Sequence, residues 1–241
     1  MDNNYTAMLM VVDRSGSMAS IRTEMEESLA SLIASQAKEP GLTTIDVVTF
    51  DTEQSLDYQM AAPEAVKIVI EPRGGTALLD TLFMSIEGFS KSIAALPPHA
   101  QPGKKIVVVA TDGEENSSTM VKHAAVRELV KSKQDHDGFE MVFLGANQDA
   151  VLEGTNLGFK ADASMTFDAD TSGSVVVVPE RSIRHGEASG DDVPLPSQAP
   201  SQEPRPRTPD RPRYLGSTVR DEAWLEAVAS ALTEISEGDF E

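Results

Sequence analysis

Residues 7–17 read AMLMVVDRSGS. The first six are apolar without interruption, which is typical of a strand that is buried on both faces of a parallel sheet. An oxygen-rich turn with Asp13, Ser15 and Ser17 follows directly. In open α/β sheets ligands bind outside the carboxyl ends of the strands, so the turn is where a functional site is expected.

Other segments repeat this alternation of a short apolar run and a longer segment of helical period. Further parallel strands are predicted at residues 45–50, 105–110 and 140–144, a short antiparallel edge strand at 54–58, and a weak last strand at 164–167. Apolar stripes at helical spacing occupy two of the connections: Met18, Ile21, Met25, Leu29, Leu32 and Ile33, then Leu78, Leu79, Leu82, Ile86, Phe89 and Ile93. A third helix is predicted at about 119–133 and a fourth after Asn147. The pattern predicts an α/β fold with a doubly wound, mostly parallel central sheet and helices on both faces.

The proline distribution divides the 241 residues into three parts. Six prolines precede residue 179, and the other eight lie between Pro179 and Pro212, in a stretch with few large apolar residues. We therefore predict a folded domain at 1–178 and a disordered, Pro- and Arg-rich linker at 179–213. An acidic amphipathic helix is predicted within 214–241, and its apolar face consists of Trp224, Leu225, Val228, Leu232 and Ile235.

Composition excludes several classes of function. The formal net charge is −19, the wrong sign for a surface that binds nucleic acid or anionic lipid, so neither nucleic acid nor membrane is an expected partner. Zero cysteines exclude disulfides and thiolate metal sites. No apolar run approaches the length of a membrane span, and the amino terminus does not resemble an export signal. We therefore expect a cytoplasmic protein.

Three loops predicted at one edge of the sheet supply oxygen ligands. Asp13, Ser15 and Ser17 follow the first strand, Asp112 follows the strand at 105–110, and Thr76 lies in a Gly-Gly-Thr turn before a helix. Two carboxylates and three hydroxyls form a hard-oxygen set that suits Mg²⁺, with Mn²⁺ or Ca²⁺ as alternatives. Because only two of the five groups are charged, the ion can accept one more negative ligand from outside the chain.

The same residues resemble a known family. Asp13-x-Ser15-x-Ser17, the threonine of the Gly-Gly-Thr turn and Thr111-Asp112-Gly113 resemble the von Willebrand factor A (VWA) domain and its metal-ion-dependent adhesion site (MIDAS). The segment at 138–151 resembles small stand-alone bacterial and bacteriophage members more specifically. The resemblance implies direct or near-direct metal contacts for Ser15, Ser17 and Thr76, and water-mediated contacts for Asp13 and Asp112. It also implies a protein partner that supplies a Glu or Asp side chain.

The sequence does not favour catalysis. The serines are not in a nucleophile elbow, no histidine has an evident partner, and the Gly-Gly turn lacks the lysine of a phosphate-binding loop. Glu114 and Glu115 are expected to form a solvated rim or to lie behind the ligands. Two hypotheses remain: a cation-dependent binding module that acts as an adaptor or assembly factor, or a structural, virion or assembly component. In the second, the metal only braces the loops and the carboxy-terminal helix makes the main contact.

Overall fold

A six-stranded sheet forms the centre of the part of the chain that the structure describes. The computed structural model describes residues 1–112, 115–145, 148–160 and 163–166. Five of the six strands are parallel, and β3 pairs antiparallel with β2 at one edge. The strands are β1 (Asp2–Asp13), β2 (Leu42–Phe50), β3 (Gln54–Ala61), β4 (Pro102–Thr111), β5 (Phe139–Gly145) and β6 (Ser164–Thr166), in the order β3-β2-β1-β4-β5-β6.

Helices cover both faces of this sheet because the strand side chains are apolar on both sides. The helices are α1 (Arg22–Gln36), α2 (Leu78–Ala95), α3 (His123–Asp135) and α4 (Gln148–Asn156). On one face, Met8 and Met10 of β1 pack in a cluster with Leu29 of α1. On the other face, Leu9 of β1 belongs to a cluster with α2 and α3. The predicted fold class is therefore confirmed.

The strand order creates a crevice at the carboxyl ends of the two central strands, β1 and β4. The chain leaves β1 toward β2 on one side and leaves β4 toward β5 on the other, so the connections diverge between the two central strands. At such a switch point the carboxyl ends of adjacent strands leave room for a ligand. Asp13 ends β1 and Thr111 ends β4, which brings the predicted metal loops to this crevice.

Several predicted boundaries are wrong in detail. The predicted third helix begins at His123 instead of about Thr119, because the backbone N–H groups of 119–121 donate to the Asp80 carboxylate instead of forming a helical turn. Met18 lies in a short 3₁₀ helix, Gly16–Ser20, that precedes α1. The edge strand extends to Ala61. The linker, the carboxy-terminal helix and Gly113 and Glu114 lie outside the described residues.

Candidate metal site

The loop after β1 begins with a carboxylate that joins two strands. Asp13 is fully buried, and one of its oxygens accepts a hydrogen bond from the backbone N–H of Ser15 at 2.6 Å. The other oxygen accepts a hydrogen bond from the hydroxyl of Thr111, also at 2.6 Å. Both carboxylate oxygens thus accept hydrogen bonds from the protein. Asp13 can therefore hold a cation indirectly, through neighbouring hydroxyls and water.

Burial controls the charge of this carboxylate. Removal from solvent raises the pKa of Asp13 to about 6, although the hydrogen bonds from Thr111 and Ser15 lower it. The negative charge of Asp112 contributes a further increase. Asp13 ends β1 and Asp112 directly follows β4, so a cation placed between the two carboxylates would relieve this repulsion.

The hydroxyls of the two serines of the first loop are hydrogen-bonded to each other, at a spacing that two ligands of one metal ion could also have. The hydroxyl oxygens of Ser15 and Ser17 lie 3.0 Å apart. Adjacent corners of an octahedron with bonds of about 2.1 Å, the geometry of Mg²⁺, are separated by about 3.0 Å. Ser15 is buried and Ser17 is exposed, so the pair extends from the interior of the crevice toward solvent.

Backbone hydrogen bonds connect the second loop to both of the others. The Gly16 N–H donates to the carbonyl of Gly74 at 3.2 Å, which links the first loop to the second. Thr76 is buried, and its N–H donates to the side-chain oxygen of Asn116 at 2.8 Å. The N–H groups of Asn116 and Ser117 donate back to the Thr76 carbonyl at 3.1 and 3.0 Å. Thr76 is therefore fixed between the loops that carry the other candidate ligands.

The two glycines before Thr76 permit this close approach. Gly74 has a φ of +65°, in the left-handed region that glycine adopts without steric cost. A Cβ atom at Gly75 would lie 2.7 Å from the side-chain oxygen of Asn116 and closer still to the hydroxyl of Ser117. A side chain at 75 would require the Asn116 and Ser117 side chains to move, and Asn116 is the acceptor for the Thr76 N–H.

Two acidic residues hold the third loop, and one of them, Asp80, was missed by sequence reasoning. The Asp80 carboxylate, buried in the first turn of α2, accepts hydrogen bonds from the N–H groups of Thr119, Met120 and Val121 at 2.8 to 3.3 Å. The Glu115 carboxylate accepts from the N–H groups of Leu79, Ser117 and Ser118. Glu115 therefore supports the loop from behind the candidate ligands, which is one of the two alternatives predicted for it, and it does not form a solvated rim. An acid within the apolar stripe of α2 was the available signal for Asp80.

A charged cluster lies beside the first and second loops. One oxygen of Asp51, which follows β2, accepts hydrogen bonds from Nε of Arg14 at 2.9 Å and Nε of Arg73 at 2.6 Å. Burial raises the pKa of Asp51, but hydrogen bonds from Arg73, the Glu53 N–H and Arg14 lower it. The pKa of Asp51 is therefore below its ordinary value. This cluster was also missed, although Asp51 follows a strand at the same edge of the sheet.

The donor chemistry fits a hard divalent cation. Asp13, Ser15, Ser17, Thr76 and Asp112 provide oxygen donors without imidazole or thiolate. Among the described residues there is no cluster of three or more His, Cys, Asp or Glu side chains suited to a metal, and this set has only two such residues. Within that same part of the chain, no helix has the length and apolarity to cross a bilayer.

Comparisons with known proteins give structural likenesses only. No family model and no curated protein matches the chain. The structure of mussel byssus proximal thread matrix protein 1 "with zinc occupied MIDAS motif" is 18% identical, with a TM-score of 0.48, and the match covers 68% of this chain and 41% of that one. An aerotolerance-related membrane protein from Bacteroides fragilis is 14% identical, with coverages of 68% and 92% and a TM-score of 0.43. BatB from Bacteroides thetaiotaomicron is 15% identical, with coverages of 58% and 66% and a TM-score of 0.39. This chain thus spans about two fifths of the mussel protein.

Proposed function

We propose that this chain is a VWA-type module that binds another protein through a divalent cation. The observation that carries the proposal is the joining of three oxygen-rich loops at one crevice, with the Ser15 and Ser17 hydroxyls 3.0 Å apart. In this proposal Ser15, Ser17 and Thr76 contact the cation, and Asp13 and Asp112 hold it through water. Mg²⁺ is the expected ion, and Mn²⁺ or Ca²⁺ would suit the same donors.

The proposed partner supplies a Glu or Asp carboxylate to the remaining coordination position. A cation with few charged protein ligands retains affinity for an anionic ligand. The single remaining coordination position makes this binding directional. Arg14 and Arg73 stand beside the first two loops, where both pair with Asp51, and the whole chain carries −19. A partner with one acid inside a basic or neutral surface would match this distribution. The role is that of an adaptor or assembly factor, without catalysis.

Hydrogen bonds of the protein itself argue against the alternative that the metal only braces the loops. Asn116 links the third loop to Thr76, Glu115 links it to α2, and Gly16 links the first loop to the second. These contacts already fix the relative positions of the loops. A cation placed there is therefore available for binding instead of being required for the fold.

Metal titration tests the proposed ligands without knowledge of the partner. We expect the full chain to bind one Mn²⁺, measured by loss of the free-ion electron paramagnetic resonance signal, and Mg²⁺ to compete. Ser15→Ala with Ser17→Ala should weaken Mn²⁺ by at least about tenfold. The matched control is Ser31→Ala with Ser35→Ala, two exposed serines of α1. Equal Mn²⁺ affinity in the double variant and in the wild type would refute the ligand assignment.

A second measurement tests the open coordination position. A short peptide with one glutamate should displace water from bound Mn²⁺ and reduce its enhancement of water proton relaxation. The same peptide with glutamine in place of glutamate should have no effect. If both peptides act alike, or if neither acts while Mn²⁺ remains bound, the carboxylate-capture part of the proposal is wrong.

A further inference from the structure

Two arginines belong to the loops of the candidate metal site, although positive charge beside a cation is unfavourable. Arg14 lies between Asp13 and Ser15 in the first loop, and Arg73 lies three residues before Thr76 in the second. Because both side chains would repel a divalent cation, attraction to the metal does not explain them. Their contacts indicate a different role.

Both arginines bind the same carboxylate oxygen. Oδ2 of Asp51 accepts the Nε–H of Arg14 at 2.9 Å and the Nε–H of Arg73 at 2.6 Å. Arg14 also donates from Nη1 to the hydroxyl of Thr49 in β2 at 3.1 Å, so its guanidinium is held at two points. Asp51 is buried and directly follows β2. One oxygen atom, fixed at the end of a strand, thus joins a side chain of the first loop to a side chain of the second.

Backbone hydrogen bonds connect the same segments. The N–H of Arg73 donates to the carbonyl of Arg14 at 2.8 Å, and the N–H of Arg14 donates to the carbonyl of Phe50 at 2.7 Å. The N–H of Ala77, directly after the second loop, donates to the carbonyl of Asp51 at 2.8 Å. Both loops are therefore tied to the end of β2 through the backbone, and the arginines add side-chain bonds to the same point.

The carboxylate of Asp51 is occupied by protein donors and is therefore not a further ligand for the metal. Oδ1 accepts the N–H of Glu53 at 2.9 Å and the hydroxyl of Thr52 at 3.3 Å, while Oδ2 accepts the two arginines. A carboxylate has about four acceptor sites, so these donors use its capacity. The negative charge of Asp51 is directed to Arg14 and Arg73, and the three side chains together connect the loops.

We propose that Arg14 and Arg73 are positioning residues of the metal site and that they act through Asp51. They hold the first and second loops at the separation at which Ser15 and Thr76 can bind one cation. This inference rests on the proposed function, because it gives residues that do not bind the cation a role toward it. Without the arginines the loops would keep their backbone hydrogen bonds, but their ligands would be placed less precisely.

The sign of the effect on metal affinity separates positioning from electrostatics. If the arginines acted through charge alone, their removal would strengthen Mn²⁺ binding, because a repulsion is lost. The acids Glu53 and Glu71, which act electrostatically on Arg73, would remain and add to this gain. If the arginines position the loops, their removal should weaken Mn²⁺ binding despite the lost repulsion. Groups that support metal ligands typically change affinity by roughly 10- to 100-fold.

Arg73→Met is the direct test, because methionine keeps an unbranched stem and removes both the charge and the Nε–H donor. We expect it to weaken Mn²⁺ by about tenfold or more in the full chain, and Arg14→Met to act in the same direction. Arg73→Lys keeps a positive donor for Asp51 and should retain most of the affinity. Arg127→Met removes an exposed arginine of α3, so it is the matched control for net charge and should leave the affinity unchanged. In the Asp51→Asn background, Arg73→Met should have little further effect, because its acceptor is already altered.

Mn²⁺ affinity that rises or stays the same in Arg73→Met would overturn the inference, and so would an equally large further loss in the Asp51→Asn background. Hydrogen exchange of the Gly16 amide, which donates to the Gly74 carbonyl, gives a readout in the metal-free protein. Arg73→Met should speed this exchange relative to Arg127→Met, and equal rates would also overturn the inference. Failure of the wild type to bind Mn²⁺ would instead refute the proposed function, and the Gly16 exchange would then decide whether the arginines hold the loops together.

Discussion

The stability of the fold should depend on pH through Asp46, because its carboxyl group is buried within the sheet. It is 7% exposed in β2, and its side chain accepts a hydrogen bond from the Met60 N–H at 2.6 Å. Met60 has a φ of 46° and lies where β3 shifts register against β2, so the bond holds an irregular part of the edge strand. Burial raises the pKa of Asp46 from 3.8 to about 6, although the Met60 hydrogen bond lowers it.

The sign of the resulting pH dependence follows from proton binding. Between about pH 4 and pH 6 the folded state holds a proton on Asp46 that the unfolded state has lost, so the free energy of unfolding falls as pH rises. A shift of about two pKa units corresponds to about 3 kcal/mol. Asp46→Asn removes the charge but retains an oxygen that accepts from Met60. The variant should therefore be about 3 kcal/mol more stable than the wild type at pH 7 and nearly equal to it below pH 4.

Urea unfolding of both proteins, followed by far-ultraviolet circular dichroism from pH 3.5 to pH 7.5, measures this difference. Asp13 has a raised pKa in the same window, but it is present in both proteins and cancels in the comparison. Asp135→Asn, at an exposed position near the end of α3, is the control and should show no such trend. A stability difference for Asp46→Asn that stays flat across the range, or that favours the wild type at pH 7, would refute the reasoning.

The other contacts around the site give further predictions. Asp80→Asn should cost about 2 kcal/mol in urea unfolding and speed hydrogen exchange of the amides at 119–121; unchanged exchange there would contradict its role. Gly75→Ala should weaken Mn²⁺ by at least about tenfold, as the new Cβ displaces the Asn116 side chain that accepts from Thr76; normal affinity would show that this side chain can move freely. Asp51→Asn should lose about 2 kcal/mol at pH 7 by leaving Arg14 and Arg73 without their anion, and because the pKa of Asp51 is lowered, the gap should close as pH falls below 4. A gap that is constant with pH would contradict the ion-pair explanation.

Most of the fold could be predicted because its signals are local. The uninterrupted apolar run at 7–12 and the stripe on α2 each reflect periods of a few residues, and the structure contains both elements. Boundaries were less predictable where a distant group competes for the backbone. The N–H groups before His123 could have extended α3, but Asp80, about forty residues away, accepts them instead.

The candidate site divides in the same way. Asp13, Ser15 and Ser17 lie at alternate positions within five residues, so their chemistry could be inferred from this spacing and from their place at the end of a strand. The supporting contacts could not be inferred, because Asp51 meets Arg14 across 37 residues and nothing periodic relates them. Such pairs depend on where the loops meet in space.

The amino-acid order alone thus specified the alternating strands and helices, the hard-oxygen loops and their common edge, since each depends on short-range periodicity and the direction of parallel strands. Only the folded chain revealed how the loops are held together: Asp51 with two arginines, Asp80 and Glu115 with backbone amides, and Gly75 against Asn116. These contacts join segments far apart in sequence, and their energy comes from burial and hydrogen-bond geometry that exist only after the sheet has formed.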